Sequence, residues 1–298
     1  MKINQKMKTI LPLAAAMGSL ALATTPANAA LWTPGDMTTD MWFDAADAST
    51  ITDSAGSVSQ WGDKSGNGNH LTQGDGAFQP TTGANTIGGL NAINAAGDWM
   101  KANRGAGAYT GQQTAVFEVL DMTQLGASVT VYGSDTGGQD YNQVAHAMFD
   151  YQGTTGYRGG TPSGPKSVIS PTVDNPYVFS SVYDGTKHIS YKDVIAGTTV
   201  ASAGNFAWDE LYINSRINDG VATPLTGKKY GEIIVVVGGV TDSERETIEG
   251  YLAWKWGLED SLDAVHTYKN AAPTVVPEPT TTALLGLGGL ALILRRRK

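Results

Sequence analysis

The chain contains no cysteine. That excludes disulfides, thiolate catalysis, cysteine-based metal sites and iron–sulfur clusters. Basic residues are scarce as well, 20 Lys and Arg against 28 Asp and Glu. Seven of the basic residues sit at the two ends, as Lys2, Lys6, Lys8, Arg295, Arg296, Arg297 and Lys298, with Glu278 the one acid there. Setting those ends aside leaves 13 basic against 27 acidic residues, a net charge of −14. A domain that acidic repels nucleic acid and anionic membrane surfaces, so no nucleic-acid partner is expected. It suits solubility, cation binding or neutral glycans.

Catalytic signatures are also missing. No serine has glycine two residues before and two after, as a nucleophile elbow requires. There is no H-E-x-x-H for zinc and no P-loop. His70, His146, His188 and His266 show no ligand spacing. A retaining glycosidase needs two carboxylates about 5 Å apart, which alternation along one strand could supply. Glu118 with Asp121, Asp209 with Glu210, and the lone Glu232 all lack that alternation. Glu244, Glu246 and Glu249 cluster on a helical stretch and read as a solvated face. No catalytic residue, metal ligand or resident cofactor is assigned.

What is present begins at the ends. Lys2, Lys6 and Lys8 precede an apolar run over residues 10–23, then Ala27-Asn28-Ala29. A basic region, a short apolar region and an A-x-A site in that order read as a signal peptide, residues 1–29, cut after Ala29. At the other end, Pro277-Glu278-Pro279 is followed by an apolar run over 281–294 and by Arg295-Arg296-Arg297-Lys298. Pro277 and Pro279 fix φ and hold Glu278 extended, outside any helix. The apolar run falls short of the roughly 20 residues that span a bilayer. The basic cluster would hold the terminus on the cytoplasmic side. Such a segment inserts transiently and presents Pro-Glu-Pro outside. A permanent anchor is the alternative, weakened by the poor helix formers Gly286, Gly288 and Gly289.

Between the ends, residues 30–272 are rich in Gly, Thr, Ser and Asn. Nine short β-branched or aromatic runs recur between turn clusters, at 41–45, 57–61, 114–120, 128–133, 144–149, 177–183, 187–194, 211–214 and 230–237. Many short strands with Gly-rich turns predict a β-sandwich, here one domain. Asp184-Gly185 reads as a hairpin turn. Thr241 and Glu244 form a capping box, Ile248, Tyr251, Leu252 and Trp256 an apolar stripe, and Gly257 a helix stop. Trp256 lies on that stripe and Trp254 off it. Trp99, Tyr109, Tyr157 and Trp208 sit in Gly-rich context, where exposed rings could stack on sugars; none is assigned as a site.

Asp63, Ser65 and Asn67 occupy alternate positions with Gly68 next, the first half of an EF-hand loop. The twelfth position is Gly74, which cannot supply the bidentate carboxylate. A turn whose Asp and Asn side chains bond their own backbone accounts for it better. A calcium site of another kind, on Asp63 or Asn67, stays open.

Two stretches carry family resemblances. Trp42-Phe43-Asp44-Ala45, Val58-Ser59-Gln60-Trp61-Gly62-Asp63-Lys64-Ser65-Gly66-Asn67-Gly68-Asn69, the hairpin 183–188, Gly231-Glu232-Ile233-Ile234-Val235 and the helix from Thr241 to Leu258 together resemble bacterial LamG-like domains of the concanavalin A-like lectin/glucanase superfamily. The resemblance implies an all-β, two-sheet jelly-roll sandwich with one short C-terminal helix packed on it. Helices of the signal peptide and of the sorting segment would flank the sandwich. It implies little function, since that fold carries lectins, hydrolases and adhesion modules alike. The glucanase branch's paired-acid strand is absent here. Residues 273–298 resemble a PEP-CTERM sorting segment, with Pro277, Glu278, Pro279 and Arg295–Lys298 as its parts. That implies recognition by an exosortase in Gram-negative bacteria that make exopolysaccharide, with the product at the cell surface or in the extracellular matrix. The expectation is a non-catalytic exported protein that binds carbohydrate or exopolysaccharide, or takes part in adhesion. A glycan-active hydrolase or lyase and a purely structural matrix protein are the alternatives.

Overall fold

The two longest strands, Thr114–Met122 and Lys228–Val237, have the sequences TAVFEVLDM and KKYGEIIVVV. Their β-branched and aromatic side chains suit a pleated, packed surface. They pair antiparallel from Lys228 opposite Met122 to Val237 opposite Thr114. All nine residues of Thr114–Met122 are buried, as expected of a strand covered on both faces. The computed structural model describes residues 29–105, 110–111, 113–123, 128–134, 147–150, 157–160, 167–201, 206–207, 209–218, 221–224 and 227–275.

On the other edge of Thr114–Met122 lies Pro176–Tyr183, which turns through Asp184 and Gly185 into Lys187–Lys192. The Asp184 carboxylate accepts the N–H groups of Thr186 and Lys187, and Gly185 supplies the positive φ of 97°. The free edge of Lys228–Val237 takes Met41–Asp44 and, further along, Leu90–Ala95. A second run of pairings passes from Ala147–Asp150 through Ser128–Ser134, Glu210–Ile213, Met100–Asn103 and Leu71–Thr72 to Ser57–Trp61 and Ile51–Ser54. Thr81–Ile87 and Leu90–Ala95 join the two runs. The pairings therefore do not break into two separate sheets. They link 18 strands into one large sheet, antiparallel at every described pair in it. Side chains still meet across the two runs. The rings of Phe43 and Trp61 lie 5.7 Å apart, the Tyr230 hydroxyl donates to the Thr130 carbonyl at 2.8 Å, and the Thr130 hydroxyl donates to Glu118 at 3.0 Å.

The one α-helix among the described residues, Asp242–Lys255, starts at the expected capping box. The Thr241 hydroxyl accepts the Glu244 N–H at 3.2 Å, and the Glu244 carboxylate accepts the Thr241 N–H at 2.8 Å. Ile248, Leu252 and Trp256 are fully buried and pack the helix onto Thr114–Met122 and Pro176–Tyr183. Two glycines make room for Trp256. A Cβ on Gly231 would come 2.9 Å from Val119 and 3.1 Å from the Trp256 ring, and one on Gly88 would come 1.9 Å from the Trp256 carbonyl oxygen. Gly231 also sits where the register between the two longest strands slips.

Ala30–Val275 forms one compact unit whose ends pair with each other. The Trp32 N–H donates to the Pro273 carbonyl, the Val275 N–H donates to the Ala30 carbonyl, and Leu31 faces Thr274 in an antiparallel bridge. No described helix is long and apolar enough to cross a membrane. Ala27, Pro277, Glu278, Pro279, Arg295, Arg296, Arg297 and Lys298 lie outside the described residues, and Ala29 is the first of them.

Candidate functional site

Three of the stretches that carry the LamG-like resemblance, at Trp42, at Glu232 itself and on the helix, converge on one buried carboxylate. Asp44 and Glu232 are directly opposite each other in the Met41–Asp44 and Lys228–Val237 pair. Glu232 has no exposed surface and accepts four donors. They are Trp42 Nε1 at 2.6 Å, Trp256 Nε1 at 2.8 Å, Lys255 Nζ at 2.6 Å and the Tyr251 hydroxyl at 3.0 Å. Lys255 also pairs with Asp44 at 2.8 Å, and Lys64 bridges Asp44 at 2.9 Å and Asp47 at 2.8 Å. Burial pushes the Glu232 carboxyl above its usual range, against the pull of Lys255.

Lysine 255 bridges one oxygen of each acid, which holds the two carboxylates within about 5 Å, the separation of a retaining glycosidase pair. Their surroundings oppose that chemistry. Lys255 pairs with both and Lys64 with Asp44, two indoles and a phenol close over Glu232, and no face of it is open to a sugar. This constellation ties the first strand, the 61–70 loop, the last strand and the helix together.

The 63–70 loop is built in the same way. The Asp63 carboxylate accepts the N–H groups of Trp42, Ser65 and Asn69, each at 2.9 Å, and the Ser65 hydroxyl at 2.8 Å. Asn67 Nδ2 donates to the carbonyls of Thr39 and Asp40. The Asp63 oxygens that calcium would need are thus taken by backbone and hydroxyl donors. No group of three or more His, Asp or Glu able to hold a metal occurs among the described residues.

The remaining acids and histidines separate. Glu118 and Asp121 sit on one strand but reach different partners, Thr130 and Lys229. Glu210 accepts the Tyr212 hydroxyl at 2.8 Å and pairs with Lys101 at 3.1 Å. The solvated face expected of Glu244, Glu246 and Glu249 fails at Glu249, which is 1 % exposed. Its helix position faces the sheet, where it accepts the Ser180 hydroxyl and Arg245 Nη1, both at 2.5 Å. Burial raises its pKa to about 7. His266 Nε2 stands 4.0 Å away, its pKa lowered chiefly by burial. His188 contacts the Ser181 hydroxyl, but both are fully buried and desolvation lowers the His188 pKa to about 3. A serine with no access to solvent is a packing partner, not a nucleophile.

Two described surfaces present aromatic faces. In the first, half-buried Trp99 lies 5.8 Å from the Tyr212 ring, and its backbone N–H donates to the carbonyl of Phe78, which is 38 % exposed. Lys101, its side chain 37 % exposed, passes over Tyr212 and pairs with Glu210. The second is a cleft of about 410 Å³ beside the paired chain ends, lined by Leu31, Trp32, Tyr251, Trp254, Lys255 and Pro273 among others. Trp32 meets Tyr251 edge to face at 5.7 Å. Trp254 Nε1 donates to the Tyr268 carbonyl at 2.8 Å. Sequence reasoning missed this cleft, because it joins residues from both ends of the Ala30–Val275 unit. Tyr109 and Trp208 lie outside the described residues, and Tyr157 opens the Tyr157–Gly160 strand.

Residues 275–298, beginning where the paired ends leave off, match the PEP-CTERM protein-sorting motif. This C-terminal segment is a PEP-CTERM sorting signal. It implies export and processing by an exosortase. Comparison with curated proteins finds no match. Among solved structures, the chain is similar to a GH54 α-L-arabinofuranosidase soaked with a cyclic sulfate inhibitor, at 15% identity and TM-score 0.48, over 65% of this chain and 50% of that one. It is also similar to domain 4 of AbnA, a GH43 extracellular arabinanase from Geobacillus stearothermophilus in complex with arabinotriose, at 13% identity and TM-score 0.48, over 72% of this chain and 96% of that one. A Trypanosoma rangeli sialidase in complex with sialic acid gives 13% identity and TM-score 0.49, over 76% of this chain and 34% of that one. The chain thus spans half the length of the arabinofuranosidase and a third of the sialidase.

Proposed function

We propose that this is an exported, non-catalytic protein of the cell surface or extracellular matrix that binds carbohydrate and is trimmed at its PEP-CTERM signal. The same reading takes the two runs of strands, which meet through Phe43, Trp61, Glu118 and Thr130, as the layers of a concanavalin A-like jelly roll. The close carboxylate pair, Asp44 and Glu232, is committed to holding the fold, which favours binding over hydrolysis. The observation that carries the binding half is Trp99. Its ring is set against Tyr212, its backbone is tied to Phe78, and the partly exposed Lys101 lies over the same Tyr212 ring. An immobilised aromatic face with polar side chains at its rim is what stacking on a sugar ring requires, because the ring covers the apolar face and the rim satisfies hydroxyls.

The test is in two parts. The mature protein from its native host is weighed intact, and an end near Pro277–Pro279 is expected; a mass retaining Arg295–Lys298 would mean a permanent anchor. The processed protein is then screened on neutral glycans, and binding is expected to fall at least tenfold in Trp99→Ala. Release of reducing ends from the bound glycan would replace binding with hydrolysis. Undiminished binding in Trp99→Ala would move the site elsewhere.

A further inference from the structure

The cleft beside the chain ends differs from the Trp99 surface in one chemical respect. Three of its polar groups are engaged inside the protein. Trp254 Nε1 is held by the Tyr268 carbonyl, the Tyr251 hydroxyl by Glu232, and Lys255 Nζ by Asp44 and Glu232. What faces outward is indole, phenol ring, proline and leucine. Leu31 is 66 % exposed at its rim. A sugar laid there would leave hydroxyls without partners, which costs binding free energy. An apolar occupant would not.

The position of the cleft selects among apolar occupants. Its walls include Leu31, two residues past the signal cleavage site, and Pro273, four residues before Pro277. From Val275, the last described residue, to Thr281, where the apolar run begins, there are six residues. Fully extended they reach about 20 Å. While that run is in the bilayer, the cleft is held within that distance of the lipid. Tryptophan and tyrosine, which the cleft presents, are the residues enriched at the membrane–water interface. The domain's net charge of −14 opposes attraction to anionic lipid, so the contact rests on apolar insertion rather than charge.

We propose that this cleft is a bilayer-docking surface, with Leu31, Trp32 and Trp254 entering the interface of the membrane that holds the sorting segment. The proposal rests on the sorting reading and extends it. Docking would keep Pro277-Glu278-Pro279 at the membrane surface, where a membrane-embedded processing enzyme works.

All seven tryptophans lie between Trp32 and Trp256, and none in the sorting segment, so insertion of the tail alone brings no indole into lipid. The full chain is reconstituted with phosphatidylcholine vesicles, with and without brominated acyl chains. Flotation reads tail insertion and tryptophan quenching reads docking. The expected result is flotation with quenching that falls at least threefold in Trp32→Phe/Trp254→Phe and in Leu31→Asp, and that is unchanged by added salt. Trp32→Phe/Trp254→Phe keeps an aromatic ring at both positions, so folding is preserved. Flotation without quenching overturns docking and leaves the sorting signal standing. Quenching that survives both variants assigns the contact to another face and also overturns it. Failure to float defeats tail insertion and docking together. Light scattering on the same samples reads a second copy seated on the cleft; unquenched emission from a particle of twice the mass overturns the lipid assignment.

Discussion

Trp254 and Trp256 are two residues apart at the end of one helix and meet opposite surroundings. Trp256 is fully buried, with its N–H on a buried carboxylate and glycines at 231 and 88 making room for its ring and its carbonyl. Trp254 is half-buried, with its N–H on a loop carbonyl and its ring at the wall of an apolar cleft. Around Trp256 the chain assembles a closed set of donors on Glu232. Around Trp254 it turns the indole N–H, the Tyr251 hydroxyl and the Lys255 ammonium toward partners in the protein. The contrast shows how to separate structural from presented aromatics: follow the polar atoms, since burial of the ring alone does not decide.

The largest effect expected of this contrast is at Glu232. Glu232→Ala leaves two indole N–H groups and the Tyr251 hydroxyl without their acceptor and Lys255 with Asp44 alone, and removal of one partner from a buried ion pair costs about 3–5 kcal/mol. Urea unfolding reads it, and a loss below about 1 kcal/mol would mean the carboxylate is not the centre of that assembly. A smaller, pH-dependent effect belongs to Glu249, on the same buried side of the helix. Its folded pKa of about 7 lies above the unfolded value, so the folded form binds the proton more tightly. Stability from this group is full at low pH and declines as pH rises from the unfolded carboxyl range to about 7, at no more than about 1.4 kcal/mol per pH unit. His266, its folded pKa lowered by burial, works in the opposite sense below its unfolded value. The difference in unfolding free energy between the wild type and Glu249→Gln isolates the glutamate; that difference should fall with pH up to about 7 and then level off. A flat difference would place the Glu249 pKa in the ordinary range. The smallest effect is at Trp254. Trp254→Ala removes a partly exposed ring, and a cost of about 1 kcal/mol is expected, against about 3–5 kcal/mol for Trp256→Ala. Equal costs for the two would erase the contrast.

Much of the fold was legible in local composition. Each of the nine β-branched runs contains or overlaps a strand, and the helix begins at Thr241 and Glu244 as its capping box dictates. Among the strands that escaped, Thr81–Ile87, Leu90–Ala95 and Met100–Asn103 read TTGANTI, LNAINA and MKAN. Thr81–Ile87 lies largely exposed and lacks the hydrophobic signal that marks a strand, and the Asn and Ala of the other two, poor strand formers, mask their buried positions. The pairing of Asp44 with Glu232 escaped for a different reason. Alternation along one strand cannot reveal acids brought together across two strands 188 positions apart in the chain. The Glu249 environment escaped because a carboxylate on an acidic helix looks solvated until the helix face is known. The sorting signal was readable in full, since its three parts are contiguous and need no tertiary contact to be recognised.

The bridge between Leu31 and Thr274 has a mechanical consequence. Its strands are antiparallel, and the outgoing chain leaves from the same end at which the domain begins. A pull on the tail therefore loads the bridge as a zipper, one hydrogen bond at a time, rather than in shear across all of them. A taut tail yields first at Val275 and then at Pro273, paying out a few residues of slack before the strands behind them are reached.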